Sequence, residues 1–283
     1  MKKTIVAAAI AAVVSAPAFA DMKISGQINQ EFYTEDGGDL ESDRNTDIVI
    51  SGSEDLGNGL TASFKQVLTG DNGTNNGTQD VALGIGSASI VGLSGSFGSI
   101  TMGKQEMFIE SHAAAMAAND ASDFVTNEVT NGRGTSDNGT IQYMSPSFNG
   151  LKVTAAMQAE GENDQDSFGI EYSNGALLVR AATASEGTND SDVIGVQYKM
   201  GDLTAKVVNA DENGSDETWY GVSYKMGNNT LAISTRDSDT PANEDTILSV
   251  KHNLSKNVAV YAVMTDDGAA NSDVALVGMQ VKF

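Results

Sequence analysis

Leu151-Lys152-Val153-Thr154-Ala155-Ala156-Met157-Gln158-Ala159 decides how the chain is to be read. Leu151, Val153, Ala155 and Met157 fall on one side, and Lys152, Thr154 and Gln158 on the other. That is the period-two alternation of a strand with one apolar face. The same alternation sets Leu60, Ala62, Phe64 and Leu68 against Thr61, Ser63 and Lys65. It also sets Ile24, Gly26 and Ile28 against Lys23, Ser25, Gln27, Asn29 and Glu31. Working outward in both directions, the pattern predicts sixteen strands: Met22–Tyr33, Arg44–Gly52, Leu60–Thr69, Val81–Ile90, Phe97–Lys104, Thr140–Ser145, Leu151–Ala159, Ser167–Ser173, Ala176–Ala184, Val193–Met200, Leu203–Ala210, Thr218–Met226, Thr230–Arg236, Thr246–His252, Asn257–Thr265 and Val274–Phe283. Tight turns such as Asn58-Gly59, Asn174-Gly175 and Gly201-Asp202 follow the even strands, and longer polar segments follow the odd ones. The expected fold is all-β, an even-stranded antiparallel barrel with a short-turn end and a long-loop end.

Charge separates those two ends. The chain of 283 residues carries 38 acidic against 16 basic side chains, a net charge of −22. Of the 38 carboxylates, 31 fall in the segments after odd strands, where the only basic residue is Arg133. Such an acidic chain repels polyanions, which excludes nucleic acid as a partner. Without cysteine there is no disulfide, thiolate metal site or cysteine nucleophile. Met1-Lys2-Lys3, an apolar run from Thr4 to Ser15, and Ala18-Phe19-Ala20 read as a cleaved secretory signal over residues 1–20. Residues 21–283 then form the barrel domain. Sixteen strands close around an interior too wide for side chains to fill, so the polar face is expected to line water and the apolar face to meet lipid.

At this point the sequence resembles the Gram-negative general porins of the outer membrane, along its whole length after residue 20. The resemblance is carried by Met22-Lys23-Ile24-Ser25-Gly26-Gln27, by Ile50-Ser51-Gly52-Ser53-Glu54-Asp55-Leu56-Gly57-Asn58-Gly59-Leu60 and by Phe97-Gly98-Ser99-Ile100-Thr101-Met102-Gly103-Lys104. The closing strand adds Val277, Met279, Val281 and Phe283 on one face, similar to the signal that barrel assembly machinery reads. The resemblance implies a trimeric, sixteen-stranded passive channel for small hydrophilic solutes and ions, set in outer-membrane lipid and lipopolysaccharide. It also implies that the third long loop, residues 105–139, folds into the pore and narrows it. In such constrictions loop carboxylates face basic residues on the wall. Loop acids Glu106, Glu110, Asp120, Asp123 and Glu128 are candidates for the first set, and Lys104 matches one of the second. The other wall positions fall on Gln27, Asp47 and Met144, none of them cationic, with Lys65, Lys152 and Arg180 as replacements at other heights. A cation preference follows as the expectation. The first and last strands are expected to meet, with Asp21 pairing Phe283.

A channel with a specific binding site is the alternative. Sugar-specific barrels carry aromatic tracks, whereas this chain has one tryptophan, Trp219, and tyrosines mostly near strand ends, where interfacial girdles belong. No cofactor is expected. The segment Asp71–Asp80 fails the spacing of a calcium-binding helix-loop-helix, though acidic external loops could gather divalent cations weakly. Ser111 precedes His112, but neighbours in sequence on a loop do not make a catalytic dyad, and no enzyme activity is expected.

Overall fold

Alternation in one sequence stretch means little until its neighbours present the same face at the same register, and all sixteen strands do so. They are β1 (Lys23–Glu35), β2 (Glu41–Gly57), β3 (Leu60–Asp71), β4 (Gly84–Gly95), β5 (Gly98–Gln105), β6 (Asp137–Met144), β7 (Leu151–Gln158), β8 (Gln165–Asn174), β9 (Leu177–Glu186), β10 (Asn189–Met200), β11 (Leu203–Glu212), β12 (Ser215–Met226), β13 (Asn229–Ser238), β14 (Asp245–Asn253), β15 (Val258–Asp267) and β16 (Val274–Lys282). This computed structural model describes residues 22–71, 83–121, 137–159, 165–239, 244–267 and 273–283. Every strand pairs antiparallel with its chain neighbours, and β1 pairs β16 to close the barrel. Gly26 N–H donates to the Phe283 carbonyl at 2.9 Å, and Phe283 N–H returns a bond to Gly26 at 3.0 Å. The expected pairing of Asp21 with Phe283 falls outside the described residues, as does most of Asp71–Asp80. Gly26 itself is the neighbour that the terminal residue meets.

Two connections expected to be long are tight hairpins. Only residues 187–188 separate β9 from β10, and only Asn213-Gly214 separates β11 from β12. Asn213 and Gly214 adopt φ of 54° and 80°, the left-handed pair that suits the twist of a two-residue hairpin. The acidic composition of these segments looked like loop. A strand needs only about 9–11 residues to cross the membrane, and a ladder continuing into water tolerates Asp190, Asp211 and Glu212.

The outer wall is apolar and open to its surroundings. Ile28, Phe32, Phe168, Ile194, Val222, Ile233, Leu248 and Val277 are all exposed there. So continuous an apolar surface suits hydrocarbon rather than water. Tyr143, Tyr198 and Tyr224 stand outward near the short-turn end, as a girdle requires. Two other tyrosines depart from that expectation. Tyr33 donates inward to Glu41 at 3.0 Å, and Tyr261 donates to Glu31 across the β15–β16–β1 seam. Tyr261 crosses over Gly278, where any Cβ would overlap its ring.

The inner wall is also less uniformly polar than alternation alone suggests. Ala182, Ala184, Val193, Val208, Ala210, Ile247 and Val263 face inward and are buried. They belong to one cluster with Met107, Phe108, Ile109 and Met116 of the segment after β5. The barrel interior therefore contains its own apolar core, built between a loop and one side of the wall.

Candidate pore constriction

The loop leaves β5 through Gln105, which is buried and held twice: Thr101 donates to its Oε1 at 2.7 Å, and its Nε2 donates to the Thr140 carbonyl at 3.4 Å. Met107, Phe108 and Ile109 then turn apolar side chains to the wall. Two short helical turns follow, a wide one at Ile109–Ala113 and a tight one at Ala114–Ala117. Burial of Met107, Phe108 and Ile109 contributes about 1.5–3 kcal/mol each, enough to hold a loop against an otherwise wet wall. The first turn packs on β8, β9 and β10, and the second on β10, β11 and β12.

Glycines make the room. A Cβ on Gly169 would overlap the Phe108 ring, and one on Gly195 would lie 2.8 Å from the Met116 sulfur. Both occupy inward positions on even strands, where the missing side chain admits the loop. Beyond the second turn the contact becomes polar. Asn119 Nδ2 donates to Ser234 Oγ at 3.2 Å, and Ser249 Oγ donates to Asn119 Oδ1. Asp120 takes an ion pair from Lys206 and a hydrogen bond from Ser223. Lys206 also donates to the Ala118 carbonyl at 3.1 Å. Loop residues 107–121 are thus fixed to the wall by an apolar half and a charged half.

The wall cations on this side are matched by carboxylates. Glu171 lies between Lys152 at 3.0 Å and Arg180 at 2.8 Å. Arg180 reaches further, donating to the His112 carbonyl at 3.2 Å. Arg236 contacts Asp245 at 3.0 Å and Glu217 at 3.5 Å, and its guanidinium lies 5.0 Å over the Trp219 ring. Trp219 is buried beneath these groups, so it forms no part of an exposed aromatic track.

The expected site residues scatter by comparison. Gln27 and Asp47 do meet on the inner wall at 3.3 Å, and Thr69 donates to the other Asp47 oxygen at 2.8 Å. Lys65 shares their inward face, paired with Ser51. Met144 is inward at the short-turn end of β6, packed against the buried apolar cluster. Glu106 and Glu110 are half-buried on the loop, whereas Asp120 is engaged by the wall. Asp123 and Glu128 lie outside the described residues. Lys104 is the departure: it pairs with Ser89 and falls in the row of Met102. Thr101 and Gln105, which bond each other, occupy the opposite, inward row. Its ammonium donates to the Ile85 carbonyl at 3.2 Å rather than into the lumen. A match at the Phe-Gly block carried position but not strand parity, which is what decides the face.

Ser111 and His112 do come within 2.7 Å, yet the geometry runs against catalysis. Ser111 Oγ donates to the Met107 carbonyl at 2.9 Å, so its hydrogen is already committed and the imidazole Nδ1–H is left to donate to it. Nucleophile activation needs the reverse direction. His112 stacks on Phe108 with ring centroids 4.9 Å apart. Burial, then the nearby Arg180 charge, holds its pKa below the ordinary value of 6.5.

Comparison with known proteins gives a consistent picture. A family model described as Gram-negative porin matches residues 7–271. A mutant porin of Rh. blastica superposes with a TM-score of 0.78 at 16% identity, over 93% of this chain and 100% of that one. The Salmonella typhi OmpF in complex with daunomycin gives 0.77 at 15% identity, over 93% of this chain and 97% of the other. No curated protein sequence matches this chain.

Proposed function

Since the chain belongs to the Gram-negative porin family, and is therefore a barrel channel of the outer membrane, we propose that it passes small hydrophilic solutes and ions without energy input and favours cations. The observation that carries the preference is Glu171, placed between Lys152 and Arg180. A porin eyelet rejects cations with uncompensated positive charge on its wall. Here Lys152, Arg180, Lys206 and Arg236 each face a carboxylate, while most of the chain's 38 acids fall in the sequence segments on the long-loop side. Low-dielectric walls focus the remaining negative field into the water.

Passage without a binding site is supported by the burial of Trp219 and by the absence of any other tryptophan. Uptake of neutral sugars into proteoliposomes tests it. Rates should fall smoothly with solute size and rise linearly with concentration. Saturation at low concentration would favour a substrate-specific channel instead.

Trimer formation draws support from the outer face. Gln30, Arg44, Gln66, Ser89 and Lys104 fall in outward rows on β1 to β5, whereas mid-height outward positions elsewhere are mostly apolar. Polar side chains are costly in hydrocarbon and suit a protein neighbour. Acidic external segments would bind lipopolysaccharide phosphates through divalent cations. Val277, Met279, Val281 and Phe283, all exposed on the outer face, form the row that assembly machinery would read.

A further inference from the structure

Basic residues gather at the other end, though less completely than the acids do at theirs. Lys199, Lys225 and Lys251 each lie within two residues of the short-turn end of β10, β12 and β14; Lys282 ends β16 and Lys23 opens β1. Alternation fixes where they point. Lys199 shares its face with buried Ser191 and Val193, Lys225 with Ser223, which bonds Asp120, and Lys251 with Ser249, which bonds Asn119. Lys282 pairs with Gln27, whose amide oxygen accepts from Gln280 on the same face. Lys23 pairs with Ser51, which in turn pairs with Lys65. Thr230 pairs with both Lys225 and Lys251 and joins them in one row. All these side chains therefore face the lumen.

Few acidic side chains lie at this end. Glu54, Asp55 and Asp202 are the side-chain carboxylates beside the short turns, with Asp21 and the Phe283 α-carboxylate close to Lys23 and Lys282 in sequence. Among described residues, Lys23, Lys199, Lys225 and Lys282 form no ion pair. Ammoniums gathered around a water-filled mouth in a low-dielectric wall raise one another's potential, and a multivalent anion relieves it by bridging several at once.

We propose that the mouth at the short-turn end, the periplasmic side of an outer-membrane barrel, is a capture rim for small multivalent anions of the condensed-phosphate class, formed by Lys199, Lys225, Lys251, Lys282 and Lys23. The lumenal direction of the side chains selects a soluble anion over a lipid headgroup. The rim rests on the channel reading above, and it makes the pore bipolar along its axis, acidic outside and basic inside. A monovalent cation still crosses, but an anion from the periplasm is held at the entrance.

Single-channel recording with inorganic triphosphate added first to one side and then to the other tests this. The expected result is block from one side only, weakened by raised salt. The K199Q/K225Q/K251Q variant should weaken block by about tenfold or more, while arginine at the same three positions restores it. Equal block from both sides, or block unchanged in the glutamine variant, overturns the rim while leaving the channel intact. Wild-type protein that does not conduct overturns the channel reading and the rim together.

Discussion

Phe108 rests directly on the backbone of Gly169, and a side chain at that glycine would occupy the space of its ring. One loop residue and one inward glycine thus set how far the third loop stands from the wall, which ties a packing detail to the width of the water path.

Replacing that glycine displaces the loop. Gly169→Val should destabilise the folded channel by about 1–3 kcal/mol, the usual cost of overpacking, and change single-channel conductance. Thermal unfolding of the detergent-solubilised protein measures the first effect and planar-bilayer recording the second.

Asp120 and Lys206 form the charged half of the same attachment. Asp120→Ala leaves Lys206, whose side chain is only 11% exposed, without its carboxylate, and costs about 1.5–3 kcal/mol. Open-channel current should become noisier as the loop loosens. A Lys206→Met, Asp120→Ala double variant should lose less than the sum of the single losses, which a double-mutant cycle reads directly.

Glu171 holds two wall cations in balance. Glu171→Gln frees the charge of Lys152 and Arg180 toward the lumen, and the zero-current potential in a salt gradient should shift toward anions. An unchanged potential would show that those cations do not act on permeating ions.

His112 gives the loop a pH dependence of defined sign. Its folded pKa is held below 6.5, chiefly by burial, so the unfolded chain takes up the proton first. Its contribution to stability is present above about pH 6.5 and is lost as pH falls through the lower folded value. Thermal stability between pH 7.5 and 5 should fall more in the wild type than in His112→Gln.

The sixteen strands were legible because alternation needs only near neighbours in sequence, as in Leu151–Gln158, and because Asn-Gly pairs mark their ends. The constriction was less legible. Arg180, Lys206, Ser234 and Ser249 meet the loop only once the barrel has folded, and the separations in sequence reach 130 residues. Gly169 and Gly195, inward on even strands, were the one local sign of close approach. Lys104 shows the opposite difficulty: its place in a motif was clear, yet the face it occupies follows from counting along β5. Trp219 stood out in sequence only as the single tryptophan, and nothing local marked it as the buried platform for Arg236 that it is.

Recording from refolded wild-type channels in a planar bilayer under a tenfold potassium chloride gradient tests the central claim most directly. The account predicts conductance in three coupled steps and a zero-current potential on the cation side, moving toward zero as total salt rises and screens the acidic mouth. A potential on the anion side would contradict it.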